Sequence, residues 1–291
     1  MKARSASVRL TRDWLLASLL LVWAVVLPGC VSGFAPAQAS ESVLVQAPPL
    51  ATMPPVALHL AVEGEFADLA AEMAAAYPEK LSEQVAPCQA GVDLVYSGYA
   101  DAALVWGPPP TVADPLAAEA VAADALAIVV NPANRVGPLD TEQLADIFTG
   151  RTQEWSSFGQ SLGSIQVVGW QPGSGAAAAL SALILQGGEL TSTALIAGSS
   201  DAVLDSVAAR PGAIGFLPAS ELRAGVRVVT VGGVRPEPSR VRRGEYPLMT
   251  GVWLVLRKGG AGEQFLAFLQ SQEGQAILGN HYAPRDVIAR H

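Results

Sequence analysis

The stretch Val168-Gly169-Trp170-Gln171-Pro172-Gly173-Ser174-Gly175-Ala176-Ala177-Ala178-Ala179-Leu180 constrains the fold more than any other in this chain. The apolar run Ile165 to Val168 reads as a buried strand. Pro172, Gly173 and Gly175 force a turn after it. From Ala176 to Gln186 the Ala/Leu-rich composition favours a helix, which Ser174 is placed to cap. A strand, a glycine turn and a helix start direct free backbone N–H groups and a positive dipole end at whatever lies above the turn. The turn alone does not separate a ligand site from a plain strand-to-helix connection, so the rest of the chain has to decide.

The same alternation recurs on both sides. Val56 to Val62 reads as a strand, Glu63-Gly64-Glu65 as a turn, and Phe66, Leu69, Ala70, Met73 and Tyr77 fall at helical spacing before Pro78. Val92 to Tyr99 reads as a short helix, Ala102 to Trp106 as a strand, and Val121 to Val130 as a strand interrupted by Asp124. Asp140 with Gln143 forms a capping-box pattern ahead of Leu144, Ile147 and Phe148, and Gly150 stops that helix. Ser199 or Ser200 caps a helix from Asp201 to Arg210; Ala213 to Phe216, Val226 to Val231 and Met249 to Leu256 read as strands, and Gln264 to Leu278 as a helix. Arg235, Arg240, Arg242 and Arg243 lie in a polar loop and read as a solvated run. Alternating strands and helices predict an α/β fold with mainly parallel sheets, in which ligands bind at the carboxyl ends of strands. Those ends are Glu63 to Phe66, Trp106-Gly107 and Trp170 to Ala176.

The amino terminus predicts export. Lys2 to Arg12 is basic and precedes the 14 apolar-rich residues Trp14 to Leu27, a length that suits a signal segment and is short for a spanning helix. Leu27-Pro28-Gly29-Cys30 resembles the lipobox of bacterial lipoproteins, which makes Cys30 the lipidation site and residues 1–29 the signal peptide. Residues 30–55, rich in Ala, Pro, Ser and Gln, read as a flexible tether. The net charge is −8, and because the leader carries four cations against Asp13, the remainder carries −11. An acidic body argues against nucleic acid as a partner. Cys88 is the only other cysteine, and His59, His281 and His291 are far apart in sequence, so no disulfide, metal site or cofactor is expected.

Several motifs together resemble one family. Leu139…Gln143-Leu144…Ile147-Phe148-Thr149-Gly150…Trp155 is similar to a segment of the phosphate-type, PstS-like substrate-binding proteins of ABC transporters. Gly173-Ser174-Gly175 stands where that family carries a Gly-Ser-Gly-Thr turn, Pro211-Gly212-Ala213-Ile214-Gly215-Phe216 resembles its Pro-Gly-Ala-Ile-Gly-Tyr, and Tyr246-Pro247-Leu248 and Ser271 to Gln275 resemble its closing pattern. The resemblance covers most of residues 121–284, whereas 56–120 match in element order alone. It implies a two-lobed type II periplasmic-binding-protein fold, with one lobe from residues 56–123 plus 218–291 and the other from 124–217. Crossover strands near Val121–Val130 and after Ile214 would form the hinge. It further implies a monomer that captures a small ligand for a transmembrane permease and is held at the membrane by its lipid.

The binding residues depart from that family. Trp170 stands where the resemblance implies an arginine, Ala176 where it implies a threonine, and Glu65-Phe66 where it implies a hydroxyl followed by an aromatic. Only Phe66, Ser174 and Gly175 carry over, although the backbone donors at Ser174 and Gly175 are expected to keep facing the cleft. Charge-assisted hydrogen bonds to a bound dianion contribute roughly 1.5–3 kcal/mol each. Losing two donors and adding a carboxylate costs on the order of three decades or more in affinity. Phosphate is therefore expected to be a poor ligand. The residues expected to line the site are Glu65, Phe66, Trp106, Trp170, Gly173, Ser174 and Gly175. Aromatic faces beside Glu63 or Glu65 suit a neutral or cationic organic solute, with an anion at the helix start as the alternative. Two other functions compete: an exported sensor or scaffold that has lost transport, and a hydrolase. The hydrolase is disfavoured because Pro172-Gly173-Ser174-Gly175 is not a nucleophile elbow and no histidine lies in that segment.

Overall fold

The computed structural model describes residues 58–109 and 111–290. The expected signal peptide, Cys30 and the tether lie outside them. In chain order the elements are β1 (Leu58–Val62), α1 (Ala67–Ala76), β2 (Leu81–Val85), α2 (Cys88–Ser97), β3 (Ala102–Trp106), β4 (Leu116–Val130), α3 (Thr141–Phe148), β5 (Gln166–Trp170) and α4 (Gly175–Leu180). They continue with β6 (Leu195–Ala197), α5 (Ser200–Ala208), β7 (Ala213–Pro218), β8 (Arg227–Val228), α6 (Pro238–Arg242), β9 (Met249–Arg257), α7 (Gly262–Gln270) and α8 (Gln272–His281).

The strands lie in the order β2-β1-β3-β9-β4-β7-β5-β6, with β8 beside β4. The flanks are parallel: β1 pairs with β2 and β3, and β5 pairs with β6 and β7. The middle is antiparallel, because β9 runs against both β3 and β4, and β4 against β7. β4 joins the two halves of the sheet. Its residues Leu116 to Ala125 pair with β9, and from Leu126 to Val130 it pairs with β7. The sequence pattern starts this strand at Val121. The Ala-rich residues before it have little intrinsic strand preference, and pairing with β9 extends the strand back to Leu116.

Period-two alternation divides the first half into two packed faces. Leu60, Val62, Leu104 and Trp106 enter the main core with Phe66, Leu69 and Met73 of the first strand-to-helix unit. Ala61, Ala103 and Val105 face the other way, against Cys88, Val92 and Val95 of α2. Gly91 lets α2 sit close, since a Cβ there would already touch Ala61 and Ala103. β2 escapes the sequence pattern because it is a polar edge strand, largely exposed and paired on one side only. The Asp140–Gln143 capping box forms as expected, with reciprocal bonds of 2.8 and 3.0 Å. The arginine-rich loop contains the short helix α6; Arg243 pairs with Glu245, and Arg242 donates to the Gly279 carbonyl.

Candidate functional site

The carboxyl ends of β1, β3 and β5 converge on one carboxylate. Glu63 follows β1 in extended conformation, ahead of the 3-10 turn Gly64–Phe66. Its Oε1 accepts from the backbone N–H of Cys88 at 3.2 Å and of Gly175 at 2.9 Å, and its Oε2 accepts from the N–H of Trp106 at 2.8 Å. These donors come from the start of α2, the end of β3 and the start of α4. Glu63 is only 4% exposed. Burial pushes its carboxyl up to about 7, against the pull of the three N–H groups and with the Glu65 charge adding to the rise. The Cys88 thiol is pushed up to about 12 by burial, and the Glu63 charge adds to it.

The backbones at this point are in close apposition. A Cβ on Gly175 would collide with the Trp106 carbonyl and crowd Oε2 of Glu63. The residue here therefore has to be glycine. Gly173 adopts φ 83°, and its carbonyl accepts from Gln89 N at 3.1 Å. Ser174 caps α4: its Oγ accepts from Ala177 N at 3.3 Å and donates to the Gln171 carbonyl at 2.9 Å. The Ser174 N–H also turns back to Gln171. The expectation of free cleft donors at Ser174 and Gly175 is thus corrected. One is consumed within its own turn and the other by Glu63.

A cavity of about 420 Å³ opens beside this contact, lined by Glu63, Glu65, Asp68, Asp201 and Glu221 together with Arg223, Trp170, Ser174 and Ser199. Arg223, the only guanidinium among the described lining residues, already pairs with Asp201 at 2.8 Å and Glu221 at 3.6 Å. The Glu65 and Glu221 carboxyls are both raised, mainly by burial; the Glu221 charge adds to Glu65, and the Asp201 and Asp68 charges add to Glu221 against the lowering effect of Arg223.

Of the seven residues expected at the site, Glu65, Trp170 and Ser174 line this cavity. Gly173 faces a second hollow on the far side of α4, together with Cys88, Gln89 and Ser174. Gly175 sits in the floor contact with Glu63. The expected aromatic wall is corrected. Phe66 is fully buried and meets Tyr282 edge to face at 6.0 Å. Trp106 is 2% exposed, with its Nε1 donating to Asp124 at 2.9 Å. Trp170 reaches the cavity edge but fixes its Nε1 on the Phe216 carbonyl at 2.7 Å. Packing took these rings because each lies on the core-facing side of its element and the indole N–H groups find buried acceptors.

Sequence reasoning missed Asp68, Asp201, Glu221 and Arg223, because nothing in their local sequence shows that they face the same cavity. It also missed the second buried carboxylate, Asp124. That group accepts from Ser220 Oγ at 2.7 Å and from the Trp106 indole, and burial pushes it up to about 6. Its signal was visible, as an acid interrupting a strand that is otherwise wholly apolar from Val121 to Val130.

Comparison with known proteins gives one family. Residues 88–273, more than half of the chain, match the model of a PBP superfamily domain. The phosphate-binding protein PstS of Bacillus subtilis is 32% identical over 165 residues, 54% of this chain and 53% of that protein. PstS 2 of Streptococcus pneumoniae is 27% identical over 136 residues, 43% of this chain and 47% of that protein. The chain thus spans about half the length of the curated relatives it matches. Among solved structures, an ABC-type phosphate transport receptor from Vibrio cholerae superposes with a TM-score of 0.68 at 24% identity, covering 78% of this chain and 99% of that one. A putative phosphate ABC transporter substrate-binding protein with bound phosphate, from Clostridium perfringens, gives 0.69 at 22%, covering 78% and 98%. At these identities the likeness shows the fold. With its mixed sheet crossed by β4, its flanking helices and a family match that runs from α2 into α8, the chain belongs to the PBP superfamily and has the two-lobed type II periplasmic-binding-protein fold.

Proposed function

We propose that this chain is an exported solute-binding protein that takes a small cationic or neutral organic solute between its lobes and presents it to a permease. The observation that carries the choice of solute is the charge of the cavity. Glu65, Asp68, Asp201 and Glu221 line it, and its single guanidinium is already paired. A phosphate dianion entering there would lose hydration and meet like charge without a free cation to compensate. An ammonium or guanidinium group would neutralise carboxyls whose ionisation burial makes costly, and so gains from the same environment. The phosphate named in the relatives supports the transport reading and is not carried over as the ligand.

We infer lobes from residues 56–123 plus 218–291 and from 124–217; the change of partner along β4 between Ala125 and Leu126 supports this division. Lipidation at Cys30 would hold the protein at the outer face of the cytoplasmic membrane. Ser174 fits a cap better than a nucleophile, since its hydroxyl is engaged at both its donor and acceptor sides and His281 pairs with Glu72 instead.

One observation favours an exported sensor or scaffold instead: the cleft floor is already closed by Glu63. A thermal-shift screen of the full chain against monoamines, diamines, guanidines, amino acids, sugars and phosphate separates the two. A ligand at 100 times its dissociation constant adds about 2.7 kcal/mol of stability. A shift with an organic cation supports solute capture, whereas no shift across the panel supports the scaffold.

A further inference from the structure

The floor of the cleft has a property that solute capture does not explain. Three backbone N–H groups, from residues 25, 43 and 112 positions distant in sequence, converge on the two oxygens of one side chain. Two of them, at Cys88 and Trp106, belong to the half of the sheet that carries Glu63. The third, at Gly175, belongs to the half built on β5. Oε1 is shared between the halves, accepting from Cys88 on one side and Gly175 on the other. The carboxylate is buried and, among the described residues, has no cationic partner and is held by N–H groups alone. A group of this kind is costly to bury and is tolerated when every lone-pair direction used is met by a donor.

We infer that Glu63 is a built-in occupant of the cleft floor. Its carboxylate takes from within the chain the N–H groups that would otherwise receive an external oxyanion, and in doing so clasps the two lobes together without any ligand. The side chain has two consequences. It determines specificity by exclusion, because an entering oxyanion must first displace a covalently tethered carboxylate that is already at the donors. It also shifts the open–closed balance toward closed, because the Gly175 N–H loses its buried acceptor when the lobes part. The tight seat of Gly175 against the Trp106 carbonyl and Oε2 leaves no room for a side chain between the lobes at this point. The clasp rests on the cleft described above being the ligand site, and it is tested with no organic solute present, so its failure is separate from failure of the solute reading.

The test compares the full chain with Glu63→Ala and Glu63→Gln. Thermal midpoints and radii of gyration from solution scattering are recorded at about pH 8.5, above the folded value of about 7 at which Glu63 ionises, in chloride, formate, acetate and phosphate at matched ionic strength. The wild-type chain is expected to be compact and indifferent to all four anions. Glu63→Ala is expected to expand and melt earlier in chloride. Tens of millimolar formate or acetate should then raise its midpoint by about 3 °C or more and restore the compact radius, since a free carboxylate can fill the vacated place. Glu63→Gln keeps the volume but sets an amide N–H against a backbone N–H, and is expected to expand without being restored by carboxylates that find no space. If Glu63→Ala does not fold, Glu63→Gln decides: a radius and midpoint equal to wild type would overturn the clasp. A compact Glu63→Ala unresponsive to carboxylates would overturn it as well, as would a wild-type midpoint that rises with phosphate.

Discussion

Nε1 of Trp106 donates to Oδ2 of Asp124 at 2.9 Å, tying the last residue of β3 to the point where β4 leaves β9 for β7. The same residue's backbone N–H donates to Glu63. Trp106 therefore stands between two buried carboxylates, one in the cleft floor and one at the crossing strand. Ser220, just beyond β7, donates to the same Oδ2 at 2.7 Å. Hydrogen bonds to a charged buried group contribute about 1.5–3 kcal/mol. Trp106→Phe is expected to lower unfolding stability by about 3 kcal/mol, and Ser220→Ala by about 1–2 kcal/mol. The double variant should fall short of or exceed the sum by at least about 0.5 kcal/mol, because both donors serve one oxygen. Chemical denaturation of the four chains measures this; strict additivity would show that the two bonds act independently.

Stability should fall as pH rises from about 4 to about 7. Glu63 moves from 4.5 to about 7 and Asp124 from 3.8 to about 6, both mainly through burial. Between those limits the folded chain holds protons that the unfolded chain has released. The contribution is therefore fully present below the unfolded values and is lost as pH passes the folded ones. At about 1.4 kcal/mol per pH unit, each group weakens the fold by roughly 3 kcal/mol across its window. Denaturant midpoints are expected to be higher at pH 5 than at pH 7.5, with a shallower slope in Glu63→Gln. A midpoint that rises over this interval would contradict the placement of both carboxyls.

Gly175→Ala tests the floor contact sterically. The added methyl meets the Trp106 carbonyl, which belongs to a strand backbone and cannot turn aside. Either the lobes separate or the strand end distorts, and the cost is expected to exceed about 3 kcal/mol. Thermal unfolding with solution scattering reads both outcomes. A neutral substitution would mean that the two backbones are not pressed together in solution.

Ser174→Ala removes the α4 cap while leaving the floor intact. A lost cap of this kind costs about 1 kcal/mol, and ligand-induced shifts should survive it. Loss of ligand response without loss of stability would instead give the Ser174 hydroxyl a direct role in binding.

Much of the fold was legible because its signals are local. The Asp140 capping box, the Ser174 and Ser199 caps and the apolar strands β3, β5 and β7 follow from spacing and residue type. The edge strand β2 was not legible, since Leu81 to Val85 is polar and becomes a strand only through its pairing with β1. At the site, the turn at Gly173 to Gly175 and the place of Glu65 were readable. The fate of the aromatics was not: Phe66, Trp106 and Trp170 look the same in sequence whether they face a ligand or a core. Which donors remain free depends on long-range partners, and Glu63 reaches Gly175 across 112 positions. The expectation against phosphate rested in the sequence on Trp170, where the resemblance implies an arginine; the Glu63 carboxylate held by the Cys88, Trp106 and Gly175 N–H groups needed three dimensions.

The most direct measurement is isothermal titration of the wild-type chain at neutral pH with phosphate and, separately, with a short linear diamine. The account expects no measurable heat from phosphate at millimolar concentration and saturable binding of the diamine that weakens with salt and with Glu65→Gln or Glu221→Gln. Micromolar binding of phosphate by the wild-type chain would contradict it, because the cleft floor would then yield its N–H groups to an oxyanion despite Glu63.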